Sequence, residues 1–151
     1  MSGAFDGDLI RPLGLVTLYC AYAEGEIDEL LSALSGLEPF DDAKRQWTVG
    51  QKLAHAEKLI HRLQRQELAG LLTTLMDARS LFERRNALIH GKLFSGGRLV
   101  SNRPGVSDQR VTAQELDAFA ALVFSCKERL FMHRCKHLLP LLESGGATDR
   151  A

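Results

Sequence analysis

Apolar side chains recur every three or four positions in four stretches of the chain, which is the pattern of amphipathic helices. The predicted helices cover about 9–34, 48–63, 68–91 and 112–138, the first beginning at Leu9 or Pro12. Glycine, proline and polar residues separate these stretches and predict turns. The pattern therefore predicts a helical protein.

Two predicted helix starts carry a capping box, in which a threonine side chain and a Glu or Gln three residues later each bond the other's backbone. Thr48 with Gln51 opens the second helix, and Thr112 with Glu115 opens the last one. Pro140 should kink or stop the last helix, because it has no N–H to donate.

Together these elements predict an all-α, up-and-down four-helix bundle with a long loop or short hairpin before the last helix. The residues between 92 and 111 include two Gly/Pro-rich turns and a β-prone pair, which favours that insertion. The sequence predicts a single helical domain over 9–143, between a flexible start at 1–8 and a flexible tail at 144–151.

Composition narrows the class of protein. With 151 residues, 45% hydrophobic and 25% charged, the chain has the makeup of one soluble globular domain. The formal net charge is zero, which argues against a broad basic surface for nucleic acid but leaves room for a local one. We find no apolar run of the roughly 20 residues that span a bilayer. Three cysteines without a CxxC pair, and no secretory signal in the first residues, predict a cytoplasmic protein with reduced thiols.

The candidate chemistry lies at the end of the third predicted helix, in the run Arg85-Asn86-Ala-Leu-Ile-His90, with Gly91 as the expected cap. Arginine is permanently charged and forked for phosphate oxygens, whereas histidine gains or loses a proton near neutral pH. Held together, such a pair can cleave RNA without a metal: the guanidinium stabilises the phosphorane and the imidazole moves the proton.

Helix geometry sets a condition on this pair. At about 100° per residue, Arg85 lies roughly 140° around the helix from His90, so either its long side chain bends back or a second copy completes the site. One polar stripe holds Arg79, Glu83, Asn86 and His90, and Arg79, Glu83 and Arg84 are the supporting candidates. Leu81 and Leu88 flank Arg85 and are candidates for a homodimer interface.

The motif Arg-Asn-x-x-x-His is followed by a turn-rich segment and one last helix. In this motif and order of elements, the chain resembles the HEPN superfamily over about residues 10–140. The resemblance implies a HEPN-like helical domain acting as a metal-independent endoribonuclease, in the manner of toxins or antiviral effectors. It implies an RNA substrate, no cofactor, a homodimer whose motif helices line one cleft, and an antitoxin or other regulatory partner protein. Toxins that are controlled by nucleotidyl transfer carry a tyrosine two residues after the histidine, where this chain has Leu93.

Under this hypothesis His90 moves the proton of the 2′-OH or of the leaving oxygen, Arg85 stabilises the phosphate charge, and Asn86 orients His90 or the phosphate. The products would end in 2′,3′-cyclic phosphate. The first three helices are also similar to helical regulators of the mannitol-operon-repressor type. That similarity supports the alternative of a non-catalytic module that binds a protein partner or a nucleotide or regulates transcription.

Each motif residue also has a structural interpretation. Arg85 is suited to one half of an ion pair, for which Glu24, Glu26 and Asp28 of the first helix are available. Asn86 suits a buried amide that orients helix contacts. His90 suits the last turn of a helix, where cations complement the dipole.

Two other clusters carry weaker signals. A basic stripe on the second helix, Lys52, His55, Lys58, Arg62 and Arg65, is either a solvated face or an RNA-backbone contact. His133 and His137 have the i, i+4 spacing of metal ligands, but no HExxH glutamate accompanies them. We interpret them as a basic helix end and predict no metal site.

Overall fold

The computed structural model describes the backbone of residues 6–90, 92–94, 98–100 and 109–148, and the side chains of 9–88 and 111–145. The helices are α1 Asp6–Ala33, α2 Asp42–Arg45, α3 Val49–Leu63, α4 Ala69–His90, α5 Ala113–His133 and α6 Leu139–Thr148. A 3-10 turn, Gln66–Leu68, precedes α4, and a π-helical segment, Arg134–Leu138, joins α5 to α6. The predicted all-α class is confirmed.

A small antiparallel sheet lies between α4 and α5, where the sequence predicts a loop or hairpin. Its strands are β1 Lys92–Phe94, β2 Arg98–Val100 and β3 Gln109–Arg110, in the order β1-β2-β3. In the β1–β2 pair, Leu93 lies opposite Leu99.

The capping residues place the helix starts as the sequence predicts. Thr48 Oγ1 accepts a hydrogen bond from the backbone N–H of Gln51 at 3.2 Å, and Gln51 Oε1 accepts one from Thr48 N at 2.9 Å. Thr112 Oγ1 likewise accepts from Glu115 N at 3.1 Å. The other end of α3 is marked by Gln64, whose φ of 50° lies in the left-handed region that ends helices.

One local prediction, and one of the two outcomes expected at Pro140, need correction. The loop before α3 contains a single helical turn, α2, because Asp41 Oδ1 caps it by accepting from Lys44 N at 2.9 Å. Pro140 does not stop the helix. The chain stays helical to Thr148, which lies within the predicted tail at 144–151. A proline at 140 cannot donate to the carbonyl of Lys136. The wider π-helical turn directly before it changes the hydrogen-bond register there, and the chain stays helical.

Side-chain contacts show that α1 and α5 run in the same direction. The rings of Tyr19 and Phe124 lie 5.0 Å apart between centroids. Seven residues further along α1, Glu26 pairs with Arg134 at 3.3 Å, ten residues beyond Phe124. In an up-and-down bundle the first and fourth helices would be antiparallel.

The second long helix also departs from the alternating order. Lys52, near the start of α3, pairs with Asp28 of α1, and Leu63, at the end of α3, lines the same cavity as Leu34. The start of α3 thus lies beside Asp28, and its end lies at the same cavity as Leu34, so α1 and α3 run in the same direction. The segment 34–48, which includes α2, carries the chain back before α3 begins. The predicted up-and-down order is therefore wrong for these helices.

The core lies between the four long helices. Its fully buried side chains include Ile27, Leu31, Leu59, Leu75 and Phe119. Leu81 and Leu88, the interface candidates, are partly buried and pack against this core. Within the described part of the chain, no helix is at once long and apolar enough to cross a membrane.

Candidate active site

Arg85 is drawn towards the side of α4 that carries Asn86. Its Nη2 donates to Asn86 Oδ1 at 2.7 Å, and its guanidinium carbon lies 5.1 Å from the centre of the Phe82 ring. On a helix Asn86 lies about 40° from the direction of His90, whereas Arg85 starts roughly 140° away. Bending over Phe82 to Asn86 therefore moves the guanidinium away from the direction in which Arg85 starts and towards that of Asn86.

The helical backbone of α4 includes His90, but the side chain of His90 and the expected cap Gly91 lie outside the described residues. That the Arg85 guanidinium lies close to the His90 imidazole therefore stays a prediction. What is defined is the arginine half of the pair: a half-buried guanidinium, bonded to its neighbouring amide and packed on a ring.

Cys20 of α1 lies close enough to Arg85 for the charge of the guanidinium to act on its thiol. Burial raises the pKa of the Cys20 thiol to about 11, with an opposing effect of the positive charge of Arg85 and a smaller raising effect of Glu24. The thiol is therefore protonated at neutral pH and is no nucleophile there. Arg85 Nε is itself buried and has no hydrogen-bond partner among the described residues.

The α1 carboxylates considered as partners of Arg85 are engaged with other cations. Glu24 and Asp28 pair with Lys52, at 3.3 and 2.9 Å. Glu26 pairs with Arg134 at 3.3 Å. The ion-pair interpretation of Arg85 is therefore not supported by these three residues, whereas its bond to Asn86 is explicit.

The supporting residues of the motif separate in space. Arg79 Nη2 lies 3.0 Å from Glu57 Oε2 of α3, so its charge is used in an ion pair between helices. Arg84 stacks over Phe119 of α5 at 4.5 Å, and Glu83 is exposed to solvent. The three supporting candidates therefore have different surroundings: Arg79 pairs with α3, Arg84 packs on α5, and Glu83 faces solvent.

The basic stripe predicted on the second helix is not one surface, and its last member, Arg65, follows the end of α3 at Leu63. Lys52 is only 3% exposed and lies between two carboxylates, which takes it out of the set of RNA-backbone candidates. His55 is also buried, with its ring edge-on to Trp47 at 5.2 Å. The exposed remainder is Lys58, Arg62 and Arg65. Arg62 lies 3.8 Å from Glu38, and Arg65 lies 3.2 Å from Glu67.

The burial of His55 predicts a loss of stability in mild acid. Burial lowers its pKa below the usual 6.5; Glu38 acts in the opposite direction, and Lys44, Lys58 and Arg62 add to the lowering. Below pH 6.5 the unfolded chain then takes up a proton that the folded protein resists, so stability falls until the pH passes the folded-state pKa. Between pH 7 and 5, the parent should lose more free energy of unfolding than His55→Phe, as measured by urea titration.

Other groups that titrate in mild acid are present in both the parent and His55→Phe, so their effects on stability cancel when the two proteins are compared. The pKa of His133 is also lowered, by burial and then by His137 and Arg129, and it contributes equally to parent and variant. Parallel pH profiles for the parent and His55→Phe would contradict the assignment to His55.

The second candidate cluster forms a close imidazole pair. Nδ1 of His133 lies 2.9 Å from Nδ1 of His137, and the rings are 5.0 Å apart between centroids. Gly70 of α4 allows this packing, since a Cβ there would lie 2.7 Å from His133 Cε1. Among the side chains that the structure describes, no group of three or more His, Cys, Asp or Glu is placed to hold a metal ion.

Comparisons of the chain with protein-family models, curated proteins and solved structures find no match. We therefore infer the function from the chemistry of the residues themselves.

Proposed function

We propose that the protein is a HEPN-like, metal-independent endoribonuclease whose site is formed by Arg85, Asn86 and His90 of one chain. The observation that carries the proposal is the 2.7 Å bond between Arg85 and Asn86. It supports the bent arginine conformation that a site within one helix requires. A toxin or defence effector is the biological role that this activity suits, with an antitoxin or similar protein as its regulator.

The proposed reaction is a transesterification within the RNA. The imidazole of His90 removes the proton of a ribose 2′-OH, or protonates the leaving 5′-oxygen, as general base or acid. The 2′-oxygen attacks the adjacent phosphorus, the bond to the 5′-oxygen breaks, and a 2′,3′-cyclic phosphate remains. Arg85 stabilises the charge that builds on the phosphate oxygens, and its fork is suited to two of them.

Replacing His90 by alanine tests the proposal. General acid–base groups contribute about 10²–10⁴ in rate, so His90→Ala should lower the rate of RNA cleavage by at least about 100-fold. His61→Ala is the matched control, because His61 is an exposed histidine on α3. EDTA should leave the parent rate unchanged. Purified parent and His90→Ala proteins that degrade RNA equally would overturn the proposal.

One observation favours a second candidate function. The buried Nε and the Phe82 contact of Arg85 also suit an arginine that mainly stabilises α4. In that case the protein is a HEPN-like binding or regulatory module for a protein partner or nucleotide. It would then be harmless on expression and would cleave none of the RNAs tested. Toxicity of the parent that disappears in Arg85→Ala, in a variant that still folds, would instead support the nuclease.

A further inference from the structure

The small sheet between α4 and α5 has one basic face. In its register, Phe94 lies opposite Arg98, and Arg98 lies opposite Arg110. Residues that pair directly across antiparallel strands share a face, and so do residues two positions apart on one strand. Lys92, with Val100 opposite it, therefore occupies the same face as Phe94. The other face carries Leu93, Leu99 and Gln109. One apolar face and one charged face are typical of an antiparallel sheet with a single solvated side.

The register sets two arginines directly opposite each other. Arg98 of β2 pairs with Arg110 of β3, and like charges in this position repel across the strands. The three strands, as the structure describes them, contain no acidic residue that neutralises the pair. An anion bound by both arginines removes the repulsion, so this pairing is suited to a ligand that carries phosphate groups.

Positive charge is concentrated in the part of the sequence that forms this sheet. Residues 84–110 hold six Lys or Arg and one Asp, although the whole chain has 19 basic and 19 acidic residues. On the flanking helices, the acidic residues nearest in sequence are Glu83 of α4 and Glu115 of α5. A chain without net charge thus keeps a local excess of positive charge next to the proposed catalytic motif, where it attracts a nucleic-acid backbone.

We infer that a single strand of RNA crosses this basic face, with phosphates at Lys92, Arg98 and Arg110 and a base stacked on Phe94. Phe94, Arg98 and Arg110 form one row across the sheet, at a spacing of about 5 Å from strand to strand. Aromatic residues on sheet faces stack unpaired bases in other RNA-binding modules, and basic residues beside them follow the backbone. An acidic peptide would use the charges of this face but not the ring.

The basic face is continuous with the catalytic motif. β1 begins at Lys92, two residues after His90, so the Cα atoms of the two lie within about 7 Å of each other. The face therefore gives the substrate a path that leads away from the motif. The inference rests on the proposed function for the identity of its ligand, but it concerns binding and not the chemical step.

Binding is measured apart from cleavage with a fluorescein-labelled oligouridine that carries 2′-O-methyl groups, because no 2′-OH then remains to attack the phosphorus. Fluorescence anisotropy of the full chain at several salt concentrations gives the affinity. Each phosphate contact to a single strand contributes about 0.7 to the slope of log affinity against log salt, so three contacts predict a slope of at least about 2 in magnitude for the parent.

The variants separate charge from stacking. R98Q/R110Q should bind at least about tenfold more weakly than the parent, with a slope smaller by about 1.4, since two phosphate contacts are lost. Phe94→Leu should weaken binding by about tenfold and leave the slope unchanged, because stacking involves no charge on the protein. The matched control, R11Q/R62Q, removes two exposed arginines of α1 and α3 and should bind as the parent does.

Thermal unfolding separates the basic face from folding. The melting temperature of R98Q/R110Q should equal or exceed that of the parent, because the repulsion across the strands is removed. His90→Ala should bind the 2′-O-methyl RNA as tightly as the parent, so failure of the cleavage chemistry and failure of the binding face are separate results.

Three outcomes would overturn the inference. One is a folded R98Q/R110Q that binds the RNA as tightly as the parent. The second is a parent that binds no RNA, whether or not it binds vesicles containing phosphatidylserine. The third is a parent whose affinity for the RNA does not change with salt, and this measurement remains decisive even if a variant fails to fold.

Discussion

Replacing Lys52 by alanine should lower the free energy of unfolding by about 3 kcal/mol, because it leaves two carboxylates without their cation. Lys52 is almost fully buried and lies 2.9 Å from Asp28 and 3.3 Å from Glu24. Burial by itself lowers its pKa, but hydrogen bonds and attraction from Asp28 and Glu24 outweigh that effect, so the pKa is raised overall. The side chains of Glu24 and Asp28 are each about one-third exposed to solvent. This remaining solvation keeps the expected loss of unfolding free energy at the lower end of the range for broken buried ion pairs.

Urea titration at neutral pH measures this loss, and Lys58→Ala is the matched control. Lys58 lies on the same helix but is exposed, so its replacement should change stability by no more than about 0.5 kcal/mol. A triple variant, Lys52→Met with Glu24→Gln and Asp28→Asn, removes all three charges together. It should recover most of the free energy of unfolding that Lys52→Ala loses. Equal losses for Lys52→Ala and Lys58→Ala would contradict the buried ion-pair assignment.

For the proposed nuclease, Arg85→Lys should reduce the rate of RNA cleavage by about 100-fold. Lysine keeps the positive charge but offers a single ammonium, which cannot bond Asn86 and two phosphate oxygens in one plane. Initial rates at saturating RNA measure the effect. Arg84→Lys is the control on the neighbouring residue, which stacks on Phe119, away from Asn86. It should cleave RNA at the parent rate.

Variants of Asn86 separate positioning of Arg85 from bulk stability. Asn86→Asp retains an acceptor at the 2.7 Å contact, whereas Asn86→Leu removes it with little change in size. We expect Asn86→Asp to keep more activity than Asn86→Leu at equal thermal stability.

Arg85→Lys with the full parent rate would show that the guanidinium fork does not take part.

The sequence alone determined the helical class and two helix starts, because these depend on residues that are neighbours in the chain. Thr48 and Thr112 fixed two helix starts through bonds to residues three positions away. The contact of Phe82 with Arg85 is also an i, i+3 contact on one helix, so helical spacing could have suggested it. Cys20 gave no such signal, since nothing in the spacing shows which α1 residue faces Arg85.

Only the tertiary structure decided which charges are buried and how the helices run. Helical spacing placed Lys52 and Arg62 on one basic stripe, yet Lys52 is buried against α1 and Arg62 stays exposed. Spacing defines a face of one helix, but the neighbour that covers part of that face is set by packing of the whole chain. The parallel directions of α1 and α5 are also set by the packing of the whole chain. The burial of Arg85 Nε is decided in the same way, because the helices that cover it are set by packing and not by spacing along α4.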